Sequence, residues 1–388
     1  MKIMHCCLAA FYIDNYGYQE NILPKLHKVQ GHDVCIVAST ENYLENKTLG
    51  YSKSEKYINE HGIPVSRLSY VRWLPKFLVR KLRMYNGLKN ELECFKPEII
   101  FLHDIQFLDV FTIIEYKKNY PNVKIYADGH TDFINSARNW ISKNILHKII
   151  YKWCAKNIEP YVEKFFGVTP LRATFFEEVY GIDKHKIDVL VMGYDDSEDF
   201  QRPREEIKES TRAKFNIADD DFLIVTGGKI DERKKIHHLI KVISELNLTN
   251  IKLLVFGTAT PDMEETIKSL CRHPSIIHVG WSSQVEINEY LVSSDFAFFP
   301  GTHSVIWEQT VGLGIPAVFK KWDGMSHVDV GGNCILLDKS DEQEIKATII
   351  SLISNKSLLN EMNIIAKTKG KSIFSYSEIA KKAIGLNL

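Results

Sequence analysis

The chain has 388 residues, 45% of them hydrophobic and 25% charged. That composition suits two globular domains and excludes a disordered chain. Lys+Arg and Asp+Glu both total 49, so the formal net charge is zero, which argues against a general nucleic-acid binder and leaves any charged partner to a local patch.

From the amino end, Met1–His5 lacks the apolar region of a signal peptide and leads into a strand-like run. Apolar strands are predicted at Ile3–Ala9, Val34–Ala38, Ile99–Leu102, Val123–Ala127 and Lys164–Val168. A second set is predicted at Phe222–Thr226, Lys252–Phe256, Ile276–Val279, Phe296–Phe299 and Ala317–Phe319. Amphipathic helical stretches lie between most of them. Continuous apolar strands alternating with helices predict parallel sheets covered on both faces, and ten strands divide more simply into two doubly wound domains than into one sheet. The joint is expected at Met192-Gly193-Tyr194-Asp195, before the polar stretch 196–219. The expected domains are 1–195, 196–370 and a terminal helix, 371–388. No run of about 18 apolar residues occurs, so no membrane span is predicted. Seven cysteines, without a C-x-x-C pair, read as small core residues of a reducing cytoplasm.

The segment Val225-Thr226-Gly227-Gly228-Lys229-Ile230-Asp231-Glu232-Arg233-Lys234-Lys235 is the most informative. A strand runs through a glycine turn and four cations into an apolar helical stripe at Leu239, Ile240 and Val242. Such a turn brings backbone N–H groups and positive charge together, which suits a diphosphate. It is neither the dinucleotide fingerprint nor a P-loop, and a solvated basic turn is the plain alternative. Further turns at carboxyl ends of predicted strands hold Gly257, then Gly280-Trp281, then Gly301-Thr302-His303-Ser304, followed by Glu308-Gln309. A carboxylate there accepts two sugar hydroxyls without donating. The alternative role for Glu308 is stabilising a helix N-terminus.

The order of these motifs resembles glycosyltransferase family four, of the GT-B fold and bacterial type. Gly228-Lys229 … Lys234-Lys235 … Leu239-Ile240 is similar to that family's G-R-x-x-x-x-K-G-x-x-x-L-I. Val279-Gly280, Ser294-Asp295, Pro300 and Gly314-x-Pro316 follow its order. Gly17 with Gly31-His32-Asp33-Val34 resembles its opening, Val189–Asp195 its hinge, and Phe374–Ala380 its closing helix, which crosses back to the first domain. The resemblance implies two Rossmann-like domains facing across a cleft. It implies a retaining, metal-independent hexosyltransferase with no cofactor, whose substrate is a nucleoside diphosphate sugar, UDP-sugar favoured over GDP-sugar. The acceptor is a saccharide or lipid-linked glycan of cell-surface polysaccharide synthesis.

The resemblance implies diphosphate contacts for Lys229 and Lys234, backed by the amides of Gly227 and Gly228. Gly17, Gly257, Gly280, Trp281, Gly301, Thr302, His303, Ser304 and Gln309 fall in the donor set, with Trp281 near the base. The family's first glutamate falls on Pro300 here, and counting back from Gly314 puts Gln309 on the second. Glu308 is expected to hold the ribose, with Gln309 beside it. In the first domain His130 is expected to hydrogen-bond the transferred sugar, and Tyr18, Asp104 and Asp132 to face the acceptor.

Residues 71–83 and 140–153 mix cations with aromatic and aliphatic residues. Either they pack as ordinary amphipathic helices or they lie in an anionic membrane interface, peripheral on the inner face of the cell membrane. Two other functions stay open. One is a catalytically silent nucleotide-sugar-binding partner, and the other a sugar-nucleotide epimerase of the same architecture.

Overall fold

A computed structural model describes residues 1–43, 48–131, 142–198, 200 and 202–386. The chain forms two compact units, Met1–Val191 with Tyr376–Leu388, and Met192–Ser375. The boundaries fall at 191/192 and 375/376 rather than at 195/196 and 370/371. Hydrogen bonds set this division: Tyr194 N donates to Phe374 O at 2.9 Å, and Ser375 Oγ donates to Asp196 Oδ2 at 2.6 Å, so these residues stay with the second unit.

The strands of the first unit are β1 (Lys2–Cys7), β2 (Asp33–Ser39), β3 (Glu41–Tyr43), β4 (Leu49–Tyr51), β5 (Lys56–Ile58), β6 (Pro64–Leu68), β7 (Ile99–His103), β8 (Lys124–Gly129), β9 (Lys164–Gly167) and β10 (Ile187–Val189). Eight of them form one sheet in the order β10-β9-β8-β7-β1-β2-β6-β5, parallel except for the β5–β6 edge pair. β3 and β4 form a separate hairpin. Side chains alternate across β1: Met4 and Cys6 enter one apolar cluster and Cys7 the other, so both faces are covered. β1 ends at Cys7, whose last partner is Ala38, instead of running on to Ala9. The helix Tyr376–Ala383 returns onto the helix Gln19–Val29, and Gln30 Nε2 donates to Ser377 O at 2.9 Å.

The second unit holds β11 (Phe222–Gly227), β12 (Ile251–Phe256), β13 (Ile276–Gly280), β14 (Phe296–Phe299), β15 (Ala317–Lys320) and β16 (Cys334–Leu337). They form a six-stranded parallel sheet ordered β13-β12-β11-β14-β15-β16. Ile224, Leu253, Val255 and Phe298 meet Leu239, Ile243 and Ile349 from the covering helices. In each sheet the strand order reverses beside the first strand, at β1/β7 and at β11/β14. Open α/β sheets bind ligands outside the carboxyl ends at such a switch point. Among the described residues no helix is long and apolar enough to cross a membrane.

Candidate functional site

At the β11/β14 switch point two loops lock together. After Gly228, which adopts φ +112°, Asp231 caps a single turn, Glu232–Lys234, by accepting from Lys234 N at 3.2 Å. The Lys234 ammonium crosses to the β14 loop and donates to Thr302 O at 2.7 Å and His303 O at 3.0 Å. Thr302 N donates back to Arg233 O at 3.0 Å. Gly301 sits directly against the Lys234 backbone, where any Cβ would overlap it. Burial holds the Lys234 pKa below the ordinary lysine value. Two of its three N–H groups are used, and the third has no acceptor among the described residues.

The cations divide by what they already hold. Arg233 pairs with Asp231 at 2.6 Å, and Lys235 Nζ donates to Ser340 O at 3.1 Å. Lys229 is exposed and has no ion-pair partner among the described residues. Among those residues, too, nothing accepts from the amides of Gly301, His303 and Ser304. The loops after β11 and β14 therefore offer two ammonium groups and three N–H donors without an acceptor among the described residues, the chemistry that binds phosphate oxygens. Gly257 shapes the neighbouring strand end: it has φ +102°, and a Cβ there would overlap the Gly228 carbonyl.

Glu308 is placed differently from its expected ribose contact. It lies at the third position of the helix Ile306–Gly312, facing inward and fully buried. His303 Nε2 lies 2.7 Å and His327 Nε2 2.9 Å from the same oxygen, Oε1. Oε2 is buried with no partner among the described residues, as is His327 Nδ1. In this structure the carboxylate is closed to solvent and accepts from two histidines. Burial opposes its charge, but His303 and His327 prevail and bring its pKa down to about 2. The three side chains are of metal-ligand type and close together. The two N···O distances are hydrogen-bond lengths, shorter than the roughly 3.3 Å between ligand atoms around a tetrahedral zinc with bonds of about 2.0–2.1 Å. Gln309, one position on, gives its amide N–H to Asn288 Oδ1. Trp281 follows the carboxyl end of β13 and is 77% exposed.

In the first unit, the ends of β7 and β8 assemble an acidic cradle. Asp104 is buried and adopts φ +64°, a left-handed conformation that costs a non-glycine residue about 1–3 kcal/mol and tends to persist at functional sites. Its Oδ1 accepts from His130 N at 3.2 Å. Burial raises its pKa, with the His130 charge opposing. The His130 ring stands 3.5 Å from Asp128 Oδ1 and 3.7 Å from Glu20 Oε1, and its side chain is 24% exposed. Burial disfavours its charge, but Glu20 and Asp128 outweigh that and raise its pKa to about 9. Tyr18 precedes the helix Gln19–Val29 and forms an exposed cluster with Tyr16 and Tyr43, the ring centroids 5.2 and 5.6 Å from that of Tyr16. Gly17 has open space where a Cβ would go. Asp132 lies outside the described residues.

Residues 207–369 match the family model described as glycosyl transferases group 1. This part of the chain is a group 1 glycosyl transferase domain. Solved structures match along the full length and show that the chain has the GT-B fold. A glycosyltransferase from Rickettsia africae is 14% identical with a TM-score of 0.68, covering 98% of this chain and 96% of that one. Anabaena HepE in complex with UDP is 13% identical with a TM-score of 0.67 and 98% coverage of both chains. UDP-GlcNAc 2-epimerase from Neisseria meningitidis, bound to UDP-GlcNAc, is 14% identical with a TM-score of 0.61 and 99% coverage of both. No curated protein sequence matches the chain.

Within the group 1 domain, Lys234 and the Gly301–Ser304 loop come together, and Gly228 and Lys229 lie in the turn that leads to Lys234. His327 joins them through Glu308 although the motif reading passed over it. Its only signal was its place after β15, a strand of the same sheet. In the first unit Glu20 joins His130, and no motif singles it out. Its signal was the helix start after β1, which points back toward the strand ends.

Proposed function

We propose that the protein is a glycosyltransferase that takes a sugar from a nucleoside diphosphate sugar, with UDP-sugar favoured. One observation carries this reading: near the β11/β14 switch point, Lys234 meets a loop whose Gly301, His303 and Ser304 amides have no acceptor among the described residues, and with Lys229 in the preceding turn these donors suit phosphate oxygens. As the anomeric C–O bond breaks, its electron pair goes to the β-phosphate oxygen. These groups stabilise the charge that grows there, and the proposed reaction needs no metal. The acceptor hydroxyl oxygen forms the new bond to the anomeric carbon from the same face, with retention, and its proton passes to the departing phosphate. Glu308 serves by aiming His303 and His327, and Trp281 is a proposed base contact. In the first unit His130, Asp104 and Tyr18 are the proposed partners of saccharide hydroxyls.

The proposed acceptor is a saccharide or a lipid-linked glycan of cell-surface polysaccharide synthesis. Its support is a surface of the first unit. Tyr151 OH donates to Lys81 O at 2.6 Å, which joins the helix Lys76–Leu82 to the stretch before Ile158. Trp73 and Phe77 are 71% and 69% exposed there, and Ile149 and Trp153 61% and 53%, among Arg72, Lys76, Lys148 and Lys152. Exposed aromatic and aliphatic side chains ringed by cations suit an anionic membrane interface. Trp140 and Ile141 lie outside the described residues.

The likeness to a UDP-GlcNAc epimerase favours one second reading, isomerisation of the nucleotide sugar without transfer. Thermal-shift screening of UDP, GDP, ADP and TDP and their sugars, on the wild type and Lys234→Ala, tests the donor site. A shift with one nucleotide that is lost in the variant is expected. No shift at millimolar nucleotide would overturn the transferase reading. Product analysis with and without acceptor then separates transfer from epimerisation. Co-sedimentation with anionic vesicles, lost in Trp73→Ser/Phe77→Ser, is the expected result for the membrane face.

A further inference from the structure

The first unit contains an unbroken line of buried imidazoles that nothing above uses. His27 Nε2 lies 2.8 Å from the carbonyl oxygen of Ala380, and His27 Nδ1 lies 2.9 Å from His5 Nε2. His5 Nδ1 lies 3.0 Å from His103 Nε2, and His103 Nδ1 lies 3.0 Å from Asp128 Oδ2. Adjacent ring centroids are 5.1 and 5.2 Å apart, with interplanar angles of 28° and 22°, so the rings meet edge to edge as N–H···N bonds require. All three rings and Asp128 are fully buried.

Both ends of this line are acceptors, a carbonyl and a carboxylate. Its four hydrogen bonds need four protons. Three neutral imidazoles supply one N–H each, a total of three. From this mismatch we infer that the line holds one proton beyond three neutral imidazoles, resident on His103, and that the resulting buried imidazolium–carboxylate pair positions Asp128 for His130. Donor directions follow from the Ala380 end. His27 donates through Nε2 to the carbonyl and accepts through Nδ1. His5 repeats the pattern, and His103 donates from both nitrogens. Burial opposes the Asp128 charge, but His103 and His130 outweigh it and hold the carboxyl below its usual range, so the proton stays off the carboxylate; of the three rings, His103 is the one beside that charge. Burial holds His5 and His27 below the ordinary histidine value, His27 at about 4, in keeping with neutral rings there.

The pair fixes Asp128 by one oxygen and leaves the other for function. Oδ1 accepts from Asp104 N at 3.2 Å and stands 3.5 Å from His130 Nε2. The groups around this end are Glu20 from the helix Gln19–Val29, Asp104 from the end of β7 and Cys7 from β1, with His32 beyond His27. His5, His27 and His103 are thus positioning residues, acting on His130 through Asp128. Only this last functional link rests on the reading of His130 as facing a ligand.

The test is NMR of the full chain labelled with 15N at histidine, recorded without nucleotide sugar from about pH 6 to about pH 9, the range that spans ordinary histidine titration. His103, assigned through His103→Gln, is expected to carry protons on both ring nitrogens throughout, while His5 and His27 stay as neutral Nε2–H tautomers. In Asp128→Asn the amide donates to His103 Nδ1 and supplies the fourth proton, so all three rings are expected to be neutral. Three neutral rings in the wild type would overturn the inference, as would a doubly protonated ring that persists in Asp128→Asn. Neither measurement depends on transferase activity, so this inference and the proposed function fail separately.

Discussion

Asp128 and Glu308 are both fully buried carboxylates held by histidines near the carboxyl ends of parallel strands, one in each unit. They differ in how completely they are used. Asp128 engages both oxygens, one with His103 and the other with the Asp104 amide. Glu308 takes two histidines on one oxygen and leaves the other without a partner among the described residues. An unmade buried hydrogen bond costs about 1–3 kcal/mol, so the second arrangement is the more strained. The contrast separates a carboxylate that ends a line of imidazoles from one that ties the loop residue His303 to His327.

The largest expected effect comes from removing either carboxylate. Glu308→Ala leaves His303 and His327 without their acceptor, and Asp128→Ala leaves the imidazole line uncompensated. Each is expected to lower unfolding free energy by about 3–5 kcal/mol, read by urea denaturation. Glu308→Gln sharpens the contrast. Its amide oxygen still accepts from both histidines, and the amide nitrogen replaces an oxygen that had no partner, so a loss under about 2 kcal/mol is expected. A loss as large as that of the alanine variant would show that the charge, not the acceptor, holds the cluster.

Next in size is Lys234→Met. It removes an ammonium that braces the His303 loop and faces the proposed diphosphate. A fall in donor turnover of about 10²-fold or more is expected, measured by steady-state kinetics. Unchanged turnover would detach the Glu308 cluster from any catalytic role.

His130→Asn tests the Asp128 side through pH. The folded-state pKa of His130 is raised to about 9, above the ordinary value near 6.5. Its stabilisation is therefore fully present below about pH 6.5 and lost as the pH rises through about 9. The variant should be less stable by about 1–3 kcal/mol at pH 6, and that difference should shrink as the pH approaches 10. A difference that stays constant with pH would mean that His130 is not held as a cation by Glu20 and Asp128.

The smallest effect belongs to Trp281→Ala, an exposed position away from both clusters. Its unfolding free energy should stay within about 0.5 kcal/mol of wild type. Any loss of nucleotide affinity in this variant then reports a contact with the ligand rather than a weakened fold.

Much of the architecture was legible in the sequence because continuous apolar runs leave one option, a strand covered on both faces. Phe222–Gly227 and Phe296–Phe299 fall where the runs predict them. The strands that escaped notice were short or polar: Lys56–Ile58, Pro64–Leu68 with its Arg67, Ile187–Val189, the four-residue Cys334–Leu337 and the hairpin Glu41–Tyr43/Leu49–Tyr51. Such segments become strands through the partner beside them, a non-local fact. The basic turn was legible for the same local reason as the strands, since a glycine pair between a strand and a helix fixes where the cations go. His327, Glu20 and the line His27–His5–His103 were not legible, because each sits in an apolar or loop context that gives no sign of its neighbours.

By itself, then, the sequence determined two parallel α/β sheets, the strand ends that carry loops, and the cationic turn after β11, since periodicity and glycine placement act within a few residues. The tertiary structure alone decided which cations stay unpaired, that Glu308 turns inward to His303 and His327, and that four residues from four separate elements line up at Asp128. The last two outcomes depend on burial and on hydrogen-bond partners 5 to 98 positions away in the chain, which local pattern does not encode.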